Sequence, residues 1–329
     1  MNSKIKIFLI VFALSLPIFW GINIFEENLK DFFYWREIAE NPQFLAAQAN
    51  QLILEQRLRD LEPFRNRNIP DLEIKAESAI SVLTDGQGKE KVLFEKVGDQ
   101  KLPVASLTKL MTAWVVLEYY DLSKEITVSE KAANQYGDVK RLEPGKTFTT
   151  EYFLYPLLME SSNGAAFALA NDYEEMTEKQ FVELMNREAK KMGLADTFFN
   201  NPSGLDPEDS KTEMNYSTAS DLVKLTKKLL TKPLIWEILS LARYSEYGPE
   251  LINTNSFLFQ EDKFSSWQDR IIGGKTGYTD KAKGCLLLVI KAPKSQGFLI
   301  NIILGADGKE NRFEEMRKLV DWLKLGYHW

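Results

Sequence analysis

Ser106-Leu107-Thr108-Lys109 sets a hydroxyl and a primary amine three residues apart at the start of a helical pattern. Positions three apart share one helix face, so Lys109 can reach the Ser106 oxygen. The amides of a helix N-terminus favour negative charge beside it. A serine hydroxyl becomes a nucleophile when a neighbouring base takes its proton, and a lysine serves as that base if burial and a nearby cation lower its pKa. Two further polar triplets follow: Ser161-Ser162-Asn163, between helical patterns at 152–159 and 165–172, and Lys275-Thr276-Gly277 on a strand. Alone, each is weak. The S-x-x-K spacing recurs at Ser3–Lys6, the second triplet reads as a helix-capping loop, and the third as an edge strand running into a turn.

The rare residues narrow the chemistry. One histidine, His328, and one cysteine, Cys285, occur in 329 residues. A Ser-His-Asp triad, a Cys-His dyad or a multi-histidine zinc site would rest on His328 alone, which leaves lysine or a carboxylate as the base of a neutral-pH hydrolase. An intrachain disulfide is impossible. A net charge of −6 argues against a nucleic-acid partner, which needs a basic stripe.

The elements that must hold these residues are legible in outline. Ser78–Thr84 alternates, turns through Asp85-Gly86-Gln87-Gly88, and pairs back over Lys91–Lys96 as a hairpin. A helix is expected from Ser106 to about Leu122, mostly helical chain over 123–245, and loops at 143–145 and 200–204. Strand patterns return at Ile271–Thr276, Cys285–Lys291 and Phe298–Leu304, before a closing amphipathic helix at 310–325. Strands at both ends with helices between imply one sheet assembled from distant segments, with a helical insertion beside it. Trp114, Tyr119, Tyr120 and Cys285 read as core, and Glu208, Asp209 and His328 as solvated surface.

In this order the three motifs resemble the signature of penicillin-binding proteins and serine β-lactamases. The flanking residues Leu102–Ala113, Gly204-Leu205-Asp206, Tyr216–Leu222 and Gly274–Ala282 look like the low-molecular-mass D-alanyl-D-alanine carboxypeptidases, over about residues 76–327. The resemblance implies an α+β fold, an antiparallel sheet flanked by helices with an all-helical subdomain. It implies acylation of Ser106, with Lys109 as base, Ser161 relaying a proton to the leaving amine, and Asn163 holding Lys109 and the substrate backbone. Lys275 would supply the nearby cation. Amides of Ser106 and Tyr278 would form the oxyanion hole. Lys275, Thr276, Gly277, Tyr278 and Arg312 would bind substrate, with Lys275, Thr276 and Arg312 on its terminal carboxylate. The implied partners are peptidoglycan stem peptides ending in D-Ala-D-Ala, with β-lactams as inhibitors, and no metal or organic cofactor.

Many relatives carry histidine where this chain has Ser203 and aspartate where it has Gly164, departures that bear on rate and preference. Several also have a C-terminal β-rich domain and membrane helix. Here residues 7–25 form an uncharged run, preceded by Lys4 and Lys6 and followed by Glu26 and Glu27. It is expected to span the bacterial cell membrane once, replacing that tether, with the catalytic domain outside. A cleaved signal or a buried helix are the alternatives. Residues 26–75 then read as a helical stalk and 76–329 as the catalytic domain. A DD-endopeptidase would share every motif. A β-lactamase would need a deacylating feature absent here, and an inactive wall-binding module would not need the motifs intact.

Overall fold

The computed structural model describes residues 29–30, 36 and 63–329, except 86–87, 138–141, 175, 210, 247–248, 260–266 and 296. The chain divides into two compact units, Met1–Phe64 and Arg65–Trp329. In the first, Leu29, Lys30 and Arg36 are helical. The expected membrane run at 7–25 and most of the stalk lie outside the described residues. Among the described residues no helix is long and apolar enough to cross a membrane.

The second unit is built on a five-stranded antiparallel sheet. Its strands are β1 (Ser78–Thr84), β2 (Glu90–Lys96), β3 (Ile271–Thr279), β4 (Lys283–Lys291) and β5 (Phe298–Ala306), in the order β3-β4-β5-β1-β2. The N-terminal hairpin β1–β2 thus joins the C-terminal meander through the β5–β1 pair, Ile300 opposite Val82. Successive side chains alternate between faces. In β4, Cys285, Leu287 and Val289 enter one core, while Leu286, Leu288 and Ile290 enter the other. Both faces of β4 and β5 are covered, which is why these two strands are apolar almost throughout.

Among the described residues eight α-helices accompany the sheet: α1 (Lys109–Tyr119), α2 (Glu130–Ala133), α3 (Thr150–Tyr155), α4 (Asn163–Asn171), α5 (Glu178–Lys191), α6 (Ala219–Leu229), α7 (Pro233–Ser240) and α8 (Asn311–Gly326). Helix α8 covers one face, packing on β4 and β5, with Ile74, Phe257 and Trp267 in the same core. Its Met316, Leu319, Val320 and Leu323 recur at helical spacing and are fully buried, each contributing about 1.5–3 kcal/mol. The other helices share the opposite core, with α1 packed against α4, α5 and α6, and α7 against β3. This is the expected α+β architecture.

Differences from the sequence expectation are local. The helix expected from Ser106 begins as a 3-10 turn over Ala105–Thr108, and α1 ends at Tyr119 because Tyr120 is extended. Strand β3 continues past Thr276 to Thr279, carrying Gly277 and Tyr278 on the sheet edge. The compact unit also takes in Arg65–Lys75: the Lys75 amide donates to Glu315 and Trp322 Nε1 to the Pro70 carbonyl. Trp114 and Tyr120 are buried as expected, whereas Tyr119 is 40% exposed. Glu208, Asp209 and His328 are exposed.

Candidate active site

The site lies where the 3-10 turn carrying Ser106 meets the edge strand β3. Two glycines make that approach possible. A Cβ on Gly277 would come within 3.1 Å of the Ser106 nitrogen, and one on Gly204 within 1.9 Å of the Ala105 carbonyl oxygen. Ala105 itself sits at φ +45°, a left-handed conformation that costs an L-residue energy and persists only where the surroundings impose it. The backbone is therefore strained one residue before the hydroxyl.

Three segments converge on Lys109, which is fully buried. Its Nζ lies 2.9 Å from Ser106 Oγ, 2.7 Å from Asn163 Oδ1 and 2.7 Å from the Ser203 carbonyl oxygen. Asn163 is held in turn by donating to the Tyr136 carbonyl at 2.7 Å. It opens α4, whose N-cap is Ser162, accepting from the Ala165 amide at 3.0 Å. Ser161 precedes that cap at φ +64°, after a widened π-turn over Pro156–Glu160. Such turns recur at functional sites. The capping reading of this triplet holds for Ser162, while Ser161 stands free of the cap and faces Lys275.

Lys275 reaches in from β3. Its Nζ donates to Ser161 Oγ at 2.8 Å and to the Thr276 carbonyl at 3.0 Å, and the residue is fully buried. Burial first, and then the neighbouring Lys109 and Arg312 cations, hold its ammonium well below the usual lysine range. Thr276 Oγ1 is 2.7 Å from Thr254 Oγ1.

Residues 65–308 match the peptidase S11 family of D-alanyl-D-alanine carboxypeptidases. The chain belongs to this family. It is 32% identical over 257 residues to a D-alanyl-D-alanine carboxypeptidase of Bacillus subtilis, covering 77% of this chain and 63% of that protein. It is also 32% identical over 255 residues to a D-alanyl-D-alanine endopeptidase of Pseudomonas aeruginosa, covering 75% and 77%. The chain thus spans just under two thirds of the Bacillus relative. Among solved structures, penicillin-binding protein D2 of Listeria monocytogenes in its cefotaxime-bound form is 27% identical with a TM-score of 0.66, over 78% of this chain and all of that one.

Within this peptidase S11 frame, Ser106, Lys109 and Asn163 share one hydrogen-bonded cluster, and Ser161 pairs with Lys275, which also donates to the Thr276 carbonyl. Tyr278 is 42% exposed at the end of the edge strand. Arg312 is 3% exposed and spends Nη1 on the Gly277 carbonyl at 2.8 Å, so it braces β3 from α8; its Nε has no partner. Burial lowers its pKa. Sequence reasoning missed the residues that act through the backbone or through loops: the Ser203 carbonyl, the Tyr136 carbonyl, Thr254, and Asp206, which accepts from Thr279 Oγ1 at 2.9 Å and ties its loop to β3. A carbonyl oxygen belongs to every residue, so no residue type could have marked it. Asp206 did stand in the quoted Gly-Leu-Asp segment, where its signal lay.

Proposed function

We propose that this chain is a serine D-alanyl-D-alanine carboxypeptidase acting on peptidoglycan stem peptides through an acyl-enzyme on Ser106. The observation that carries the reading is Lys109 Nζ 2.9 Å from Ser106 Oγ, with two fixed acceptors at 2.7 Å. A neutral amine has two N–H bonds and one lone pair. If Asn163 and the Ser203 carbonyl take the N–H bonds, the lone pair faces the Ser106 hydroxyl and can accept its proton. Repulsion between the Lys109 and Lys275 ammonium groups is reciprocal, so keeping one of the pair neutral costs less than charging both.

Ser106 Oγ then bonds to the carbonyl carbon of the penultimate D-alanine, and Lys109 takes the hydroxyl proton. The tetrahedral oxyanion is held by the Ser106 and Tyr278 amides. Ser161, hydrogen-bonded to Lys275, passes a proton to the leaving nitrogen as the C–N bond breaks and D-alanine departs, and the proton that Lys109 took restores the Ser161 hydroxyl and leaves Lys109 neutral for the attack of water. Water attacks the ester, its proton returns to Ser106 Oγ, and the enzyme is free. Lys275, Thr276 and Arg312 give the terminal carboxylate its positive surroundings. β-Lactams would acylate the same oxygen, and membership in this family together with the cefotaxime-bound relative supports that.

Intact mass after incubation with a penicillin tests the reading. One adduct per chain on the wild type and none on Ser106→Ala is expected, with D-alanine released from a pentapeptide. No adduct with the drug intact sinks the proposal. Cleavage of cross-linked dimers without D-alanine release would assign endopeptidase activity instead. We further infer from the uncharged run at 7–25 that the full chain is membrane-anchored with this domain outside the cell; release of the full-length chain by an alkaline carbonate wash would overturn that.

A further inference from the structure

The Ser203 carbonyl that meets Lys109 sits on a loop with no secondary structure of its own, and one buried side chain holds that loop in shape. Asn215 is 3% exposed. Its Oδ1 accepts from the amides of Asn200 at 2.8 Å and Asn201 at 3.1 Å. Its Nδ2 donates to the Asn201 carbonyl at 2.9 Å and to Thr108 Oγ1 at 3.0 Å. Asn201 then folds the next turn, its Oδ1 accepting from the Ser203 amide at 3.2 Å and the Gly204 amide at 2.7 Å. Thr112, on α1, straps the Pro202 carbonyl at 2.6 Å. Asn215 therefore bridges the loop bearing the Ser203 carbonyl and Thr108, the residue before Lys109.

We propose that Asn215 is a positioning residue for acylation: by tying the 200–204 loop to Thr108 it fixes the Ser203 carbonyl against Lys109 Nζ, so that the amine's lone pair is aimed at Ser106. This rests on the acyl-enzyme reading above. Without the tie, the carbonyl drifts, while the Asn163 acceptor of Lys109 stays in place. Misplacement of a reacting group by about 1 Å can cost on the order of 100-fold in rate. The lost carbonyl also removes an acceptor that favours the ammonium form, so Lys109 would give up its proton at lower pH. The charged group facing it from β3 is Lys275, with Arg312 of α8 acting on Lys275, and neither is altered.

The test compares penicillin acylation rates, per folded molecule and across pH, for the wild type, Asn215→Ala, Thr112→Val and Glu188→Ala. Thr112→Val loosens the same loop by its other strap and serves if Asn215→Ala does not fold. Glu188→Ala removes a buried polar hub elsewhere and controls for stability. The expected result is a rate at least about tenfold lower for Asn215→Ala, a smaller loss for Thr112→Val, and a pH midpoint moved downward in both, with Glu188→Ala unchanged in rate and midpoint. Wild-type rates and midpoints in both loop variants, despite lower melting temperatures, would make Asn215 purely structural and overturn the inference alone. No adduct on the wild type would overturn the acyl-enzyme reading and this inference together.

Discussion

Two clusters, each around a buried charge and lying toward the two ends of α1, serve opposite purposes. At its C-terminal half, the Glu188 carboxylate accepts from Trp114 Nε1 at 3.1 Å, from the Tyr119 hydroxyl and from Lys191 Nζ at 2.6 Å. Burial alone would raise its pKa, but the Lys191, Tyr119 and Trp114 donors outweigh that and hold it below the usual carboxylate range. At the other end, Lys275 is fully buried, its hydrogen-bond partners are neutral oxygens, and the two cations Lys109 and Arg312 oppose its charge. One cluster satisfies its charge and locks α1 to α5. The other leaves its charge poorly compensated, which lowers the cost of moving a proton. The same helix thus carries a charge-satisfying network and, in the function proposed above, a reactive one, and such strain at a site is offset by stability elsewhere in the fold.

The comparison breaks most sharply at Lys109. Replacing it with methionine keeps the volume but removes the base, and acylation should fall by about 10²–10⁴, read as the rate of penicillin adduct formation, with the fold intact by circular dichroism. A loss of less than tenfold would move the base elsewhere. Glu188→Ala should do the reverse. It strands a buried indole N–H and should cost about 1–3 kcal/mol in denaturant unfolding, while acylation per folded molecule stays at the wild-type rate. The subtlest test is the pH dependence of Lys275→Met. Because folding lowers the Lys275 pKa from 10.5, the unfolded chain binds more protons between the folded value and 10.5, and wild-type stability contributed by this group rises with pH across that window. The variant should therefore melt above the wild type at low pH, by a margin that shrinks as pH rises toward 10.5. A margin independent of pH would mean that burial imposes no charge penalty at Lys275.

Much of the site was legible because its residue types are rare in combination and its spacing is local. Ser106 and Lys109 lie three apart on one turn, and the structure keeps them within 2.9 Å. The strands of the sheet were readable from the alternation and turn at Ser78–Lys96 and from the strand patterns at 271–276, 285–291 and 298–304, and β3 runs past its expected end where Gly277, Tyr278 and Thr279 continue the ladder opposite Cys285, Gly284 and Lys283. Arg312 was nominated for the substrate, and its visible contact is with the Gly277 backbone, because a helix-borne guanidinium behind the edge strand finds a carbonyl within reach. Asn215 and Thr254 left no signal: a single asparagine or threonine is common, and only its neighbours give it meaning.

The sequence by itself determined the helix and strand periods, the i, i+3 pairing of serine with lysine, and, through three ordered motifs, the chemical class to expect. Tertiary structure decided which of those groups are dry. Lys109 and Lys275 look like any other lysines in the chain, yet both are fully buried, since Asn163, the 200–204 loop and β3 arrive from segments far apart in sequence. Proximity within a turn is set by bond geometry and can be counted along the chain. The burial that perturbs a buried amine depends on what packs around it, and that is fixed only when the sheet closes.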